Sequence, residues 1–279
     1  MLIGVDVGGT NISAGRVVDD SLEGTVLSVP TKSHGKEQEV IEQITRLVDH
    51  LRGEDKLEAI GIGVPTFVDD KQGIVYDTTN IPSWKEVQLK KILEEKYGIP
   101  VYVNNDANCF ALGEHYFGHG KNHKNIVGVT LGTGLGSGII INSKLYTGTN
   151  CAAGELGEMV INDNKRLQSY CSGEFFKDDN PKLLAKKARE EDPAAIADYE
   201  KFGNNLGIAL SYIVLAYDPE IIILGGSIAK SHDVFENAMK ETLKESIPKR
   251  IYDKLQIKVS ENENMGVLGA AALHYDAQE

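Results

Sequence analysis

Residues 130–138 read T-L-G-T-G-L-G-S-G and join two apolar segments, 125–130 and 138–142, that are predicted to be β-strands. Four glycines in nine residues cost backbone entropy and add no side-chain packing. A backbone whose amides a polyphosphate can approach, with a threonine hydroxyl beside them, explains this composition. The predicted phosphate-binding residues of this hairpin are Gly132, Thr133 and Gly134.

A second glycine turn, D-V-G-G-T-N at residues 6–11, lies between the predicted strands Leu2–Asp6 and Asn11–Val18. Glycines at a sharp turn let the backbone approach a phosphate, and a carboxylate can hold Mg²⁺ through water. The alternative is an ordinary glycine hairpin with a capping aspartate. The stretch is not a Walker loop, which needs GxxxxGK[ST] at the start of a helix. The candidate ATP-binding residues here are Asp6, Gly8, Gly9, Thr10 and Asn11, with Asp6 as the Mg²⁺ residue.

The order of predicted elements occurs twice along the chain: three strands, a helix, a strand, a helix and a strand. After the first hairpin come the strand Thr25–Thr31, the helix Lys36–Arg52, the strand Ala59–Val64, the helix Val87–Tyr97 and the strand Val101–Asn104. After the second come Lys144–Thr147, the helix Ala194–Tyr217, the strand Glu220–Leu224, the helix Asp233–Ser246 and the strand Gln256–Val259, and a last helix, Met265–Tyr275. This order predicts an α/β fold of two duplicated lobes around a central cleft. Residues 1–112 form the predicted N-terminal lobe, with a C-terminal helix, 265–279, that packs back on it, and residues 113–264 form the other lobe.

The stretch V-N-N-D-A-N at residues 103–108 lies at the end of a predicted strand and the start of a predicted helix, 107–117. Open α/β sheets bind their ligands at the carboxyl ends of strands. Asp106 can accept a proton from a hydroxyl there as a general base, and Asn105 can orient the same substrate. The alternative is that one of these two side chains simply caps the helix.

Two further motifs supply candidate ligand contacts. A nucleotide base and ribose could lie against the strand end L-G-G-S at 224–227, for which the alternative is a tight strand-to-helix turn. Two carboxylates three residues apart in G-E-L-G-E, 154–158, suit a hydroxyl-rich ligand, and the alternative is a solvated acidic turn. The candidate residues are Gly225, Gly226 and Ser227 for the nucleotide, and Glu155 and Glu158 for the substrate.

Composition excludes several classes of protein. The 279 residues carry a net charge of −12, which argues against nonspecific nucleic-acid binding. The three cysteines are scattered and form no CxxC pair, so reduced thiols in a cytoplasmic protein are expected. The apolar stretches are too short for a membrane span, and the first residues do not read as a signal peptide.

Together these motifs, with G-V-L-G-A-A-A-L at 266–273, resemble the ROK family of sugar kinases and repressors over nearly the whole chain. The resemblance implies an actin-like ATPase (ribonuclease H-like) fold, MgATP as the phosphoryl donor and a hexose or amino sugar as the acceptor. Glucose is the expected acceptor, with N-acetylmannosamine, N-acetylglucosamine and fructose as alternatives. It also implies that Asp106 is the catalytic base and that the protein is a homodimer. The residues implied to contact the sugar are Thr66, Thr79, Asn80, Asn105, Asp106, Glu155, Glu158 and Gln168.

The chain departs from the family pattern on the sugar side. Typical relatives carry a histidine where Glu158 stands, followed by a CxCGxxGC cluster that binds zinc, whereas residues 155–173 here offer only Cys171. No structural zinc is therefore expected. Gln168 stands in the place of a glutamate that contacts sugar. Relative to the family pattern, the sugar site therefore gains a hydrogen-bond acceptor at Glu158 and a donor at Gln168. The hypothesis is a sugar that differs from glucose at one position around C1–C3, or glucose bound with a raised KM.

The departures leave three alternatives open. The segment around Glu158 and Gln168 could instead have moved away from the sugar. A repressor would carry an added helix-turn-helix segment before the first hairpin, and the chain is expected to have none. A non-catalytic sugar or ATP binder is disfavoured by the presence of Asp106.

Overall fold

The computed structural model describes residues 1–161, 164–177 and 179–278. The chain forms two compact units. The first unit comprises Met1–Asn122, Gly138–Ala153 and the residues from Glu261 onward, and the second comprises His123–Ser137 and Gly154–Ser260. The assignment of lobes with limits at residues 112 and 264 stays a prediction.

Along the described residues, groups of strands are separated by helices. The strands are β1 (Leu2–Val7), β2 (Asn11–Val18), β3 (Ser21–Pro30), β4 (Ala59–Val64), β5 (Val68–Asp69), β6 (Ile74–Tyr76), β7 (Glu86–Val87), β8 (Val101–Asn105), β9 (Ile126–Leu131), β10 (Leu135–Ile141), β11 (Lys144–Leu145), β12 (Ile221–Gly225) and β13 (Gln256–Val259). The α-helices are α1 (Glu37–Arg52), α2 (Leu89–Tyr97), α3 (Asp106–Phe117), α4 (Gln168–Cys171), α5 (Pro181–Arg189), α6 (Pro193–Tyr217), α7 (Glu236–Ser246), α8 (Lys249–Tyr252) and α9 (Met265–Asp276).

The two large sheets repeat one strand order. The first sheet has the order β3-β2-β1-β4-β8, and the second has the order β11-β10-β9-β12-β13. In each sheet the first three strands in sequence lie side by side, and the two later strands are added next to the first of them. The predicted duplication of strand and helix order is therefore confirmed. A small third sheet, β5-β6-β7, was not predicted because its strands are two or three residues long.

Parallel pairing aligns the strand ends of the first sheet. β1 is parallel to β4, and β4 is parallel to β8, whereas β2 runs antiparallel to β1. In this register Asp6 lies opposite Gly63, and Gly63 lies opposite Asn104. The residues that follow β1, β4 and β8 are consequently brought to the same edge of the sheet.

Helix α9 packs against β1 and β4 of this sheet at very short range. A Cβ atom at Gly4 would overlap the carbonyl oxygen of Val267, and one at Gly61 would overlap that of Ala270. Only glycine fits at a contact between two backbones, so these two positions set the height of α9 above the sheet.

Some predicted boundaries differ from the structure for local reasons. β3 begins at Ser21 instead of Thr25 because Asp19 and Asp20, at φ 46° and 60°, complete a tight turn in two residues. Helix α5 was not predicted, although Asn180 caps it with a side-chain oxygen that accepts a hydrogen bond from the backbone N–H of Leu183 at 3.2 Å.

Among the described residues, no helix combines the length and the apolar character that crossing a membrane requires.

Candidate functional site

The candidate catalytic residues lie where β8 passes directly into α3. The side-chain oxygen of Asn105 accepts hydrogen bonds from the backbone N–H groups of Ala107 (2.8 Å) and Asn108 (3.4 Å). Asn105 is therefore the N-cap of α3, which leaves Asp106 as the first helical residue. The half-buried Asp106 carboxylate accepts a hydrogen bond from the N–H of Ala107 at 2.8 Å.

A buried polar network fixes this strand–helix junction. The side-chain oxygen of Asn104 accepts hydrogen bonds from the N–H of Asn105 (2.8 Å) and from the amide of Asn108 (2.9 Å). The thiol of Cys151 donates to the same oxygen at 3.4 Å. Asn104 and Asn108 were quoted in the sequence motif without a role, and their spacing of four residues was the signal that could have shown it. The network holds the first turn of α3 in one orientation.

Thr66 contacts this junction through its backbone. The Asn105 side-chain amide donates to the carbonyl of Thr66 at 3.3 Å, while the Thr66 hydroxyl donates to the carbonyl of Tyr76 at 2.7 Å. The second N–H of the Asn105 amide makes no hydrogen bond to any of the described residues. The Thr66 hydroxyl already has a partner, the carbonyl of Tyr76 at the end of β6.

The structure brings Asn80 onto the first glycine turn. A Cβ atom at Gly9 would lie 2.6 Å from the Cβ of Asn80, so Gly9 has a packing reason to be glycine. The turn itself is closed by the N–H of Gly8, which donates to the carbonyl of Asn11 at 2.8 Å. Asn80 and Thr79 are both exposed. A residue predicted to contact sugar thus packs against a turn predicted to contact phosphate.

The surroundings of the Asp6 carboxylate disfavour its charged form. Burial raises the pKa of Asp6 to about 6. Its oxygen lies beside the first turn of α9, where a Cβ atom at Gly266 would be 2.9 Å from Oδ2. The half-buried Asp6 carboxylate is partly desolvated, a hydrated cation would offset that cost, and its remaining exposure leaves room for water ligands, so Asp6 fits a Mg²⁺ residue.

In the second unit, parallel pairing brings the glycine hairpin and the L-G-G-S turn together. β12 is parallel to β9, with Gly225 opposite Thr130, and the N–H of Ile228 donates to the carbonyl of Leu131 at 3.0 Å. Gly226 has φ 86°, and a Cβ atom there would overlap the Leu131 carbonyl. The tight turn therefore requires glycine at 226 whatever the ligand.

Gly132 differs from Gly226, because a Cβ atom on it would have no neighbour within 4 Å and its φ is not positive. The fold therefore does not require glycine at this position. Thr133 beside it is exposed. Open space above Gly132 is what the close approach of a ligand would need.

The segment around α4 is attached to the same hairpin. The N–H of Gly173 donates to the carbonyl of Gly132 at 2.8 Å, and the fully buried Ser172 hydroxyl donates to that of Thr133 at 3.1 Å. A Cβ atom at Gly134 would lie 3.0 Å from the side-chain oxygen of Gln168. Gln168, predicted on the sugar side, therefore lies next to the predicted phosphate hairpin.

Within G-E-L-G-E, the backbone of Leu156–Glu158 forms a short 3₁₀ turn, and Glu155 lies immediately before it. Burial, and then the negative charge of Glu158, raises the pKa of Glu155. Glu158 accepts a hydrogen bond from the Gln168 amide at 3.2 Å and pairs with the Arg166 guanidinium at 2.7 Å. Arg166 was missed by the sequence reasoning because no motif includes it.

No group of three or more His, Cys, Asp or Glu side chains is placed to hold a metal ion in the part of the chain that the structure describes. Asn162 and Asp163, in the segment that follows Glu158, lie outside the described residues. The expectation of no structural zinc stays a prediction, which metal analysis of untagged protein would check.

Comparison with known proteins settles the family. The model of the ROK family matches residues 2–277. The chain belongs to the ROK family. It is 30% identical to the glucokinase of Thermotoga maritima, over 98% of this chain and 96% of that protein. It is also 31% identical to the xylose repressor of Bacillus subtilis, over 79% of this chain and 62% of the repressor.

Solved ROK structures confirm the fold. The ROK family glucokinase from Streptomyces griseus, in complex with glucose and AMPPNP, superposes with a TM-score of 0.81 at 29% identity and covers 98% of each chain. The predicted actin-like ATPase fold and the resemblance to ROK sugar kinases are therefore confirmed.

We expect Gly132→Ala to separate a phosphate site from an ordinary hairpin. The free energy of unfolding should stay unchanged or rise by up to about 1 kcal/mol, because the added methyl group meets nothing. The KM for ATP should rise by roughly tenfold or more if phosphate approaches this backbone, since one lost contact of about 1.4 kcal/mol is tenfold in affinity. Kinetics and chemical denaturation are the measurements.

Gly226→Ala is the matched control for that substitution. Gly226→Ala should lower the free energy of unfolding even when no ligand is bound. Alanine is strained at the positive φ of this residue, and its methyl group would overlap the Leu131 carbonyl. An unchanged KM for ATP in Gly132→Ala would show that the hairpin does not bind phosphate.

A pH dependence follows from the carboxylate pair. Glu155 accepts hydrogen bonds best when ionised, so sugar affinity should fall as the pH falls through its raised pKa. Glu158→Gln removes the neighbouring negative charge, so the pKa of Glu155 decreases and the midpoint of this loss should move to lower pH. Calorimetric titration of sugar without nucleotide measures it and excludes effects of ATP binding.

Glu245→Gln serves as the control, because Glu245 is an exposed carboxylate on α7. A midpoint that stays in place or rises in Glu158→Gln would contradict the proposed coupling between Glu155 and Glu158.

Proposed function

We propose that this protein is an ATP-dependent kinase of a small sugar, with glucose as the first candidate. The observation that carries the proposal is the ROK match over residues 2–277 together with an aspartate, Asp106, at the first turn of α3. Relatives that match over 88% to 98% of this chain include glucokinases and an N-acetyl-D-glucosamine kinase from Vibrio cholerae. N-acetylmannosamine, N-acetylglucosamine and fructose are the alternative acceptors.

In the proposed reaction Asp106 accepts the proton of the attacking sugar hydroxyl. The sugar oxygen then bonds to the γ-phosphorus while the bond to the bridging oxygen breaks and ADP leaves. Such a transfer depends mainly on positioning and on charge neutralisation. The position of Asp106 is supported by the cap and by the Asn104 network, which orient its helical turn.

The remaining residues are proposed to bind the two substrates. The proposed sugar contacts are Thr66, Thr79, Asn80, Asn105, Glu155, Glu158 and Gln168, and the proposed ATP contacts are Asp6, Gly8, Gly9, Thr10, Asn11, Gly132, Thr133, Gly134, Gly225, Gly226 and Ser227. Mg²⁺ held by Asp6 through water would neutralise phosphate charge. The open space above Gly132 and the burial of Asp6 support this assignment.

The proposal is tested by ADP release from ATP over a panel of glucose, N-acetylmannosamine, N-acetylglucosamine, fructose and allose. Turnover with at least one sugar, well above the rate of ATP hydrolysis alone, is the expected result. A second candidate, a sugar-sensing regulator without turnover, is favoured only by the likeness to the xylose repressor. Sugar binding without ADP release from any member of the panel would favour the regulator.

We expect Asp106→Asn to lower kcat by roughly 10²–10⁴ with little change in KM, because it removes proton acceptance and keeps the size of the side chain. The free energy of unfolding should hardly change, since Asn105 provides the cap. Asn105→Ala should instead cost about 1 kcal/mol of stability. Retention of more than a third of wild-type turnover in Asp106→Asn would rule out the catalytic role.

We also propose a cytoplasmic homodimer. The homodimer rests on the family resemblance, and the cytoplasm on the scattered cysteines and on the nature of the substrates. Light scattering at micromolar concentration checks the homodimer against the monomer mass of 30.4 kDa.

A further inference from the structure

Backbone contacts join residues 159–160 to residues 166–167, directly before α4. The N–H of Leu167 donates to the carbonyl of Met159 at 2.8 Å, and Val160 pairs with Arg166 in an antiparallel bridge. This pairing carries the Arg166 guanidinium to Glu158, at 2.7 Å. We infer that Arg166 is a positioning residue that fixes Glu158 and, through it, the Gln168 carboxamide for sugar binding. The inference rests on the proposed sugar-kinase function.

The contacts determine which way Gln168 points. An ionised carboxylate only accepts hydrogen bonds, so the Gln168 group that faces Glu158 must be the NH₂ group, at 3.2 Å. Its side-chain oxygen then lies toward Gly134. Gln168 therefore offers an acceptor beside the glycine hairpin, and it does so only while Glu158 stays in place.

Arg166 is what keeps Glu158 in place. Each oxygen of Glu158 has a different partner, Arg166 on Oε2 and Gln168 on Oε1. Without the guanidinium the carboxylate would retain a single neutral partner and could rotate away from it. Arg166 also places a positive charge next to a carboxylate that repels the charge of Glu155.

The exposure of the Arg166–Glu158 pair predicts that losing it affects sugar binding more than folding stability. The side chains of Arg166 and Glu158 are 56% and 36% exposed, and exposed ion pairs contribute little to folding stability. Loss of Arg166 should therefore disturb the orientation of the sugar-binding groups while the protein stays folded.

The test compares Arg166→Met with Arg166→Lys and with Lys165→Met, which removes an exposed positive charge from the preceding residue. In Arg166→Met the KM for the sugar should rise about three- to tenfold, an effect of the size of one partly exposed charged contact, while kcat and the KM for ATP stay within about twofold. Arg166→Lys should recover most of the loss, and Lys165→Met should behave like wild type. Added salt should raise the wild-type sugar KM and leave that of Arg166→Met unchanged.

A double variant tests whether Arg166 acts through Glu158. Once Glu158→Gln is present, adding Arg166→Met should raise the sugar KM no further, because the partner charge is already gone. Additive effects in the double variant would overturn the inference. So would an unchanged sugar KM in Arg166→Met, or a joint loss of kcat and thermal stability that lysine does not recover. A wild-type protein that phosphorylates no sugar would overturn the proposed function, and the inference with it.

Discussion

The contact between α9 and the first sheet is the constraint on which the first unit depends. Carbonyl oxygens of Val267 and Ala270 approach the backbone at Gly4 and Gly61 so closely that no side chain fits between them. Because protein interiors are densely packed, α9 cannot shift relative to the sheet without creating overlaps or voids. The helix therefore has one height and one register on the sheet. The same register places Gly266 at the carboxylate of Asp6 and so helps to bury it.

That burial gives the site its electrostatic character. A carboxylate that loses water becomes harder to ionise, and desolvation raises the pKa of Asp6 to about 6. Burial, and then the charges of Asp6 and Asp106, also raises the pKa of the Cys109 thiol well above its ordinary range. The charges of Asp6 and Asp106 thus both act on the buried Cys109 thiol.

The second unit reaches a comparable rigidity by a different route. Hydrogen bonds from Ser172 and Gly173 attach the segment around α4 to the glycine hairpin. Glu158 pairs with Arg166 and also accepts a hydrogen bond from Gln168 of α4. Hydrogen bonds thus link the proposed ligand-binding residues of the glycine hairpin to a segment about 40 residues later in the sequence. The fold is shared with the ROK family glucokinase from Streptomyces griseus. Within this fold, Glu158 of this chain pairs with Arg166.

The sequence by itself determined the order of strands and helices, the positions of both glycine hairpins and the location of Asn105 and Asp106 at a strand end. These features follow from periodicity and turn chemistry, which act over a few residues. Short elements such as β5–β7 and α4 escaped prediction because two to four residues carry no periodic signal.

Only the tertiary structure decided which side chains meet. It packed Asn80 onto Gly9, assigned the cap of α3 to Asn105 instead of Asp106, and paired Arg166 with Glu158. It also distinguished Gly226, which the turn requires, from Gly132, which the fold does not. The physical reason is that such contacts depend on sheet register and on the distance between packed backbones, and neither is encoded in the spacing of residues along the chain.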